Sequence, residues 1–162
     1  MFKKILYITI ILISICNIKL SNSIKIVTNN NSINRLIIKK ININKRLYNI
    51  DSKENTIEKH ISYLKGTIMP DKENSIVILA AHSGTGKIAY FQELDKLQKN
   101  DIVILLYNNK KYKYIVKDIW EQKKNGYINI NKEKEKQLVL TTCSPNKNNY
   151  QLIVNCIEKE ST

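Results

Sequence analysis

From Arg35 onward the chain is a succession of short β-branched runs separated by polar breaks, and this pattern leaves little room for anything but sheet. Leu36-Ile37-Ile38 and Ile41-Asn42-Ile43 open the series. Residues 75–81 (SIVILAA) are almost continuously apolar, as in a strand buried on both faces. Residues 101–107 and 111–119 flank Asn108-Asn109-Lys110. Asn tolerates the positive φ of a tight turn, so the pair predicts a hairpin. On its second arm Tyr112, Tyr114 and Val116 alternate with Lys113, Ile115 and Lys117. Further strands are predicted over 126–130, 137–142 and 150–157. One segment, 89–98, reads as helix, with Phe91, Leu94 and Leu97 at threefold spacing. The expectation is an all-β domain with one or two short helices, a closed or nearly closed barrel of seven to eight strands.

The N-terminus is of another kind. Met1-Phe2-Lys3-Lys4 precedes an apolar run from Ile5 to Ile18, broken mildly by Thr9, Ser14 and Asn17. Two lysines before such a run mark residues 1–21 as a signal peptide or an N-terminal membrane anchor. The run is shorter than the roughly 20 residues of a spanning helix, which favours the signal. Cys16 lies inside it as an apolar passenger, because Ile15 replaces the small residue that lipoprotein processing requires. Residues 22–34 are polar and read as a tether, leaving 35–162 as the folded domain. Export would put that domain on the extracellular face of the cell membrane, or free of it after cleavage.

The 162 residues carry 27 Lys+Arg against 14 Asp+Glu, a formal net charge of +13. Such a balance suits an anionic partner, whether nucleic acid, phospholipid or cell envelope. Only Arg35 and Arg46 are arginine, however, and Lys, Ile and Asn are abundant together. This pattern fits compositional bias as well as it fits a polyanion ligand.

Chemistry concentrates at two positions. His82 follows the strand SIVILAA directly, and Cys143 follows QLVLTT, so each sits where a strand delivers its chain to solvent. A lone Cys with a distant His is a candidate thiol nucleophile with its acid/base partner, or else two unrelated structural residues. Other signals are weaker. Ser83-Gly84-Thr85-Gly86-Lys87 imitates the end of a phosphate-binding loop, but Ala81 and Ile88 occupy the positions of its first Gly and final Ser/Thr. His60 has no ligand-spaced partner and reads as a surface or groove-edge residue. Cys156 alternates into the last strand as a core residue. Tyr107, Tyr112 and Tyr114 suit sheet packing better than base stacking. No cofactor, metal or nucleic-acid partner is expected.

Four blocks, in order, resemble the sortase family. They are Ala80-Ala81-His82-Ser83-Gly84, then Tyr90-Phe91 with Leu94, Leu97 and Asp101, then Leu140-Thr141-Thr142-Cys143, then Leu152-Ile153-Val154. Residues 36–50 and Leu64-Lys65-Gly66-Thr67 resemble the family's early strands and the segment before its His, so the likeness spans about 35–157. It implies a sortase-like closed β-barrel and a cysteine transpeptidase. In that reading Cys143 attacks the carbonyl of a sorting-signal peptide and forms an acyl-thioester, while His82 protonates the leaving amine. An amine acceptor, such as a cell-wall cross-bridge or a pilin lysine, then resolves the thioester with His82 as base. The connection 120–136 would line the peptide groove, and 144–149 would form its opposite wall.

Three positions depart from the family pattern. Val139 replaces a Thr and Ala81 replaces a Gly, both tolerable in packing. Gln151 stands where the family has its Arg, and no arginine follows Arg46. A Gln amide can donate a hydrogen bond to an oxyanion but brings neither charge nor a two-pronged fork. Gln151 is therefore a candidate oxyanion donor, with Lys147 as a second source of charge. The same substitution motivates an alternative: a catalytically weakened sortase-like protein that binds sorting signals or wall polymers.

Overall fold

The computed structural model describes residues 33–159. The expected signal or anchor at 1–21, the part of the expected tether before residue 33, and Cys16 lie outside them. Eight strands form one sheet: β1 (Arg35–Ile38), β2 (Ile43–Arg46), β3 (Ser62–Tyr63), β4 (Ile76–Ala80), β5 (Ile102–Tyr107), β6 (Lys110–Lys123), β7 (Gln137–Cys143) and β8 (Tyr150–Glu158). Their order is β2-β1-β5-β6-β8-β7-β4-β3, an all-β curled sheet that makes a half-barrel. The hydrogen-bonded ladder ends at β2 on one side and β3 on the other, and no strand pair joins these two edges.

The Asn pair behaves as its chemistry requires. Asn108 and Asn109 have φ of 48° and 61°, and Tyr107 pairs with Lys110 across a two-residue loop. Two consecutive positive φ values are those of a type I′ turn, whose twist matches the strands it joins. Asn also takes the left-handed positions at 42, 74, 100 and 149. On β6, Tyr112, Tyr114 and Val116 point inward and are buried, as the alternation predicts. The register then slips between Val116 and Asp118, and β6 runs on to Lys123. A bulge of this kind bends a strand, which lets one long strand serve two parts of a curved sheet.

Two expectations change. Residues 126–130 form no strand; that segment is irregular. Residues 89–98 form successive turns ending in a 3-10 helix, Leu94–Lys96, and not an α-helix. Leu94 N–H donates to the Phe91 carbonyl, Lys96 to Glu93 and Leu97 to Leu94. Bonds to the third residue back bring every third side chain to one side, so Phe91, Leu94 and Leu97 are all buried. A second 3-10 turn, Lys39–Ile41, links β1 and β2.

The core fills the concave face. It contains Leu36 and Ile38 from β1, Val77 and Leu79 from β4, Leu138 and Leu140 from β7, Val154 and Cys156 from β8, and the Phe91–Leu94–Leu97 edge. β7 is buried along its length until Cys143, the one exposed residue at its end.

Candidate active site

The site is built where two parallel strands end together. β4 and β7 pair in parallel with Ala80 beside Thr141. The ladder ends at that pair, and His82 and Cys143 each lie two residues beyond it. Side chains staple the two exits: the Thr142 hydroxyl donates to the Ala81 carbonyl at 2.8 Å, and the Ser83 hydroxyl donates to the Cys143 carbonyl at 3.0 Å. The His82 carbonyl accepts from the N–H of buried Phe91 at 3.0 Å, which ties the loop after His82 to the core. His82 is half-buried and Cys143 exposed, so an imidazole and a thiol share one rim of the sheet.

On its other side β7 pairs with β8 in antiparallel fashion, and Gln151 is the residue opposite Cys143. One more strand across, Gln122 of β6 is opposite Gln151. Both glutamines hold the chain that follows β6: Gln151 Nε2 donates to the Tyr127 carbonyl at 3.0 Å, and Gln122 Nε2 to the same oxygen at 2.6 Å. Gln122 Oε1 also accepts from the Asn129 N–H. At the far end of this loop the buried Gln137 side chain holds Asn131 and Glu133 by their backbones. A segment with no strand pairing is therefore held in place by three amide side chains.

Lysine chemistry is divided between two positions. Lys147 is engaged by Glu121, with Nζ 3.5 Å from its carboxylate, and also lies over the Tyr150 ring. Glu121 further accepts from the Ser144 hydroxyl and from Asn146 Nδ2. The Ser144 bond foremost, then Asn146 and Lys147, hold the Glu121 carboxyl below the usual carboxylate range. Lys124, by contrast, puts Nζ 2.9 Å from Cys143 Sγ. Nothing in the lysine-rich run around it marks Lys124 in the sequence; only the end of β6 and the register of β7 bring it to the sulfur.

Two clefts are lined by neighbours of Cys143, though by neither Cys143 nor His82 itself. One of about 540 Å³ is lined by Leu64, Lys65, Ile78, Lys124, Tyr127 and Gln151, so the connection after β6 does line a groove. The other, of about 360 Å³, lies among Ser83, Phe91, Asp95, Thr142, Ser144 and Leu152. Ser144, the start of the segment expected to wall the first groove from the opposite side, thus borders a separate cleft.

The remaining candidates fall elsewhere. His60 stacks on Tyr48 with ring centroids 4.4 Å apart and meets Glu54 at 3.3 Å, a half-buried packing role. Cys156 is wholly buried, and burial pushes its thiol up. It is opposite Leu138, five ladder positions from Cys143. At about 3.3 Å per residue that separation exceeds the span of a disulfide. Residues 83–87 curve through positive φ at Gly84 and Gly86 and open no helix, so no helix N-terminus is there to hold a phosphate.

The fold has relatives among solved structures. The chain resembles the structures of a lid mutant of sortase A from Corynebacterium diphtheriae (TM-score 0.70, 20% identity, 81% of this chain and 72% of that one) and of sortase C-1 from Actinomyces oris (0.69, 24%, 81% and 74%). Sortase C from Streptococcus pneumoniae is similar at 0.68 and 25%, over 78% and 67%. No curated protein sequence matches significantly. The sortase domain model matches residues 36–158, and the chain belongs to the sortase family of cysteine transpeptidases.

Proposed function

We propose that this protein is an exported transpeptidase in which Cys143 is the nucleophile and His82 the acid/base. The observation that carries the reading is the β4–β7 register, whose paired ends run on to His82 and to an exposed Cys143, with clefts lined by their neighbours. The sulfur attacks the carbonyl carbon of a Thr-Gly-like bond in a sorting signal, and the C–O π electrons move to oxygen. Collapse of this adduct breaks the C–N bond while His82 gives its proton to the departing amine, leaving an acyl-thioester on Cys143. The acceptor amine then attacks the thioester carbon, His82 takes its proton, and the C–S bond breaks to release the Cys143 thiolate. The larger cleft suits the extended donor peptide. The smaller one, with Asp95 on its wall, suits the cationic acceptor before it loses its proton. The lysine pair and apolar run at the N-terminus support export, with the domain at the cell surface.

The test is incubation with a library of sorting-signal peptides, read by intact mass. The parent should accumulate an acyl adduct on Cys143, and Cys143→Ala should accumulate none while keeping the parent's melting temperature. Full transpeptidation by Cys143→Ala would overturn the assignment. The uncharged Gln151 supports a second reading, a binding protein with weak turnover. That reading predicts peptide retention by the parent without an acyl adduct.

A further inference from the structure

We infer that Lys124 supplies the cationic group of this site, in place of an arginine on β8. The inference rests on the transpeptidase reading and extends it to a residue outside the four sequence blocks. Position 151, opposite the nucleophile, holds an uncharged amide, and one of that amide's N–H groups is committed to the Tyr127 carbonyl. Arg35 and Arg46 lie on β1 and β2, at the edge of the sheet away from β7. Lys147 is already paired with Glu121.

Lys124 differs from these on each count. It is the first residue after β6, and its own N–H donates to the Asn149 carbonyl at 2.9 Å, so its backbone is fixed between β6 and the turn that enters β8. Its Nζ reaches Cys143 Sγ at 2.9 Å. Among the described residues it forms no salt bridge with a carboxylate. It also lines the larger cleft, on the side from which a donor peptide would meet the sulfur. An ammonium in this place stabilises negative charge on the sulfur before attack. After attack the charge moves to the carbonyl oxygen bonded to the same carbon as the sulfur, within reach of the same flexible group. A lysine meets both positions as a point charge, without the fixed fork of a guanidinium. Chain geometry has thus moved the charge from the strand after the nucleophile to the strand exit before it.

The experiment compares the parent with K124Q, K124R and the double variant K124Q/Q151R, all as the full chain. Two rates are read: alkylation of Cys143 by iodoacetamide at neutral pH, resolved by peptide mapping, and acyl-enzyme formation with a sorting-signal peptide. Lys124 is exposed, so all three variants should melt with the parent. K124Q should slow acyl-enzyme formation by about 100-fold, the loss typical of one oxyanion donor, and should slow alkylation several-fold. K124R should recover most of both rates. K124Q/Q151R should recover acyl-enzyme formation by returning charge from the neighbouring strand, which no structural role of Lys124 would explain. Parent-like alkylation in K124Q would overturn the inference, as would failure of both arginine variants to recover either rate. If the parent itself forms no acyl-enzyme, the transpeptidase reading fails, and the alkylation rates still decide whether Lys124 acts on the sulfur.

Discussion

Gln151 stands directly across the β7–β8 ladder from Cys143, yet its amide is bound to the Tyr127 carbonyl of the loop beside the larger cleft. One side chain thus stands opposite Cys143 and holds the wall of the groove. Gln151→Ala should lower kcat/KM by about tenfold, less than the 100- to 1000-fold of a lost dedicated oxyanion donor. The loop component should appear in KM and the oxyanion component in kcat. Steady-state peptide turnover separates them, and an unchanged kcat would remove Gln151 from the chemistry.

Glu121 holds the turn after Cys143 by Ser144, Asn146 and Lys147. Its carboxyl is depressed mainly by the Ser144 hydroxyl, so the bound turn favours the ionised form. A group with a lowered folded pKa contributes its stability above the unfolded value and loses it as pH falls through the folded one. Hydrogen exchange at 144–149 should therefore be faster in Glu121→Gln than in the parent near neutrality. The difference should close as the solution is acidified below the ordinary carboxylate range. A difference that persists in acid would mean that the charge is irrelevant to the turn.

Asn109 occupies the second positive-φ position of the β5–β6 hairpin. Asn109→Gly should leave stability unchanged or raise it. Asn109→Val should cost ~1–2 kcal/mol, because a β-branched side chain collides with its own backbone there. Denaturant melts of the two variants measure the gap.

The two cysteines of the sheet should differ sharply in reactivity. Cys143 is exposed, whereas Cys156 is enclosed in the core with its thiol raised by burial. Brief alkylation of the native protein followed by peptide mapping should modify Cys143 and spare Cys156, and unfolding in denaturant should expose both. Equal native labelling would mean that β8 frays far more than its packing implies.

Much of the molecule is legible in its residues because the forces that set it are local. Alternation on β6 identifies Tyr112, Tyr114 and Val116 as inward-facing, and the Asn108-Asn109 pair identifies its own turn, since side-chain period and left-handed tolerance are properties of a few adjacent residues. The threefold spacing of Phe91, Leu94 and Leu97 correctly marks a buried edge. It misleads about the helix, because that spacing fits α and 3-10 geometry alike and only the hydrogen bonds separate them. Residues 126–130 carry a strand's composition without a strand partner; glutamine side chains from β6 and β8 hold them instead.

His82 and Cys143 stand within their sequence blocks, Gln151 directly precedes the last one, and no arginine follows Arg46. What the sequence alone determined is the inventory: sheet, turns, a thiol, an imidazole and no arginine after Arg46. The tertiary structure decided who stands next to whom. The antiparallel β6–β8 and β7–β8 registers, a bulge at Val116/Asp118 and the length of β6 bring Lys124 to Cys143, while Lys147, nearer in sequence, goes to Glu121. Which of many similar lysines meets the sulfur depends on the pairing of strands far apart in the chain, and no local pattern of residues encodes that pairing.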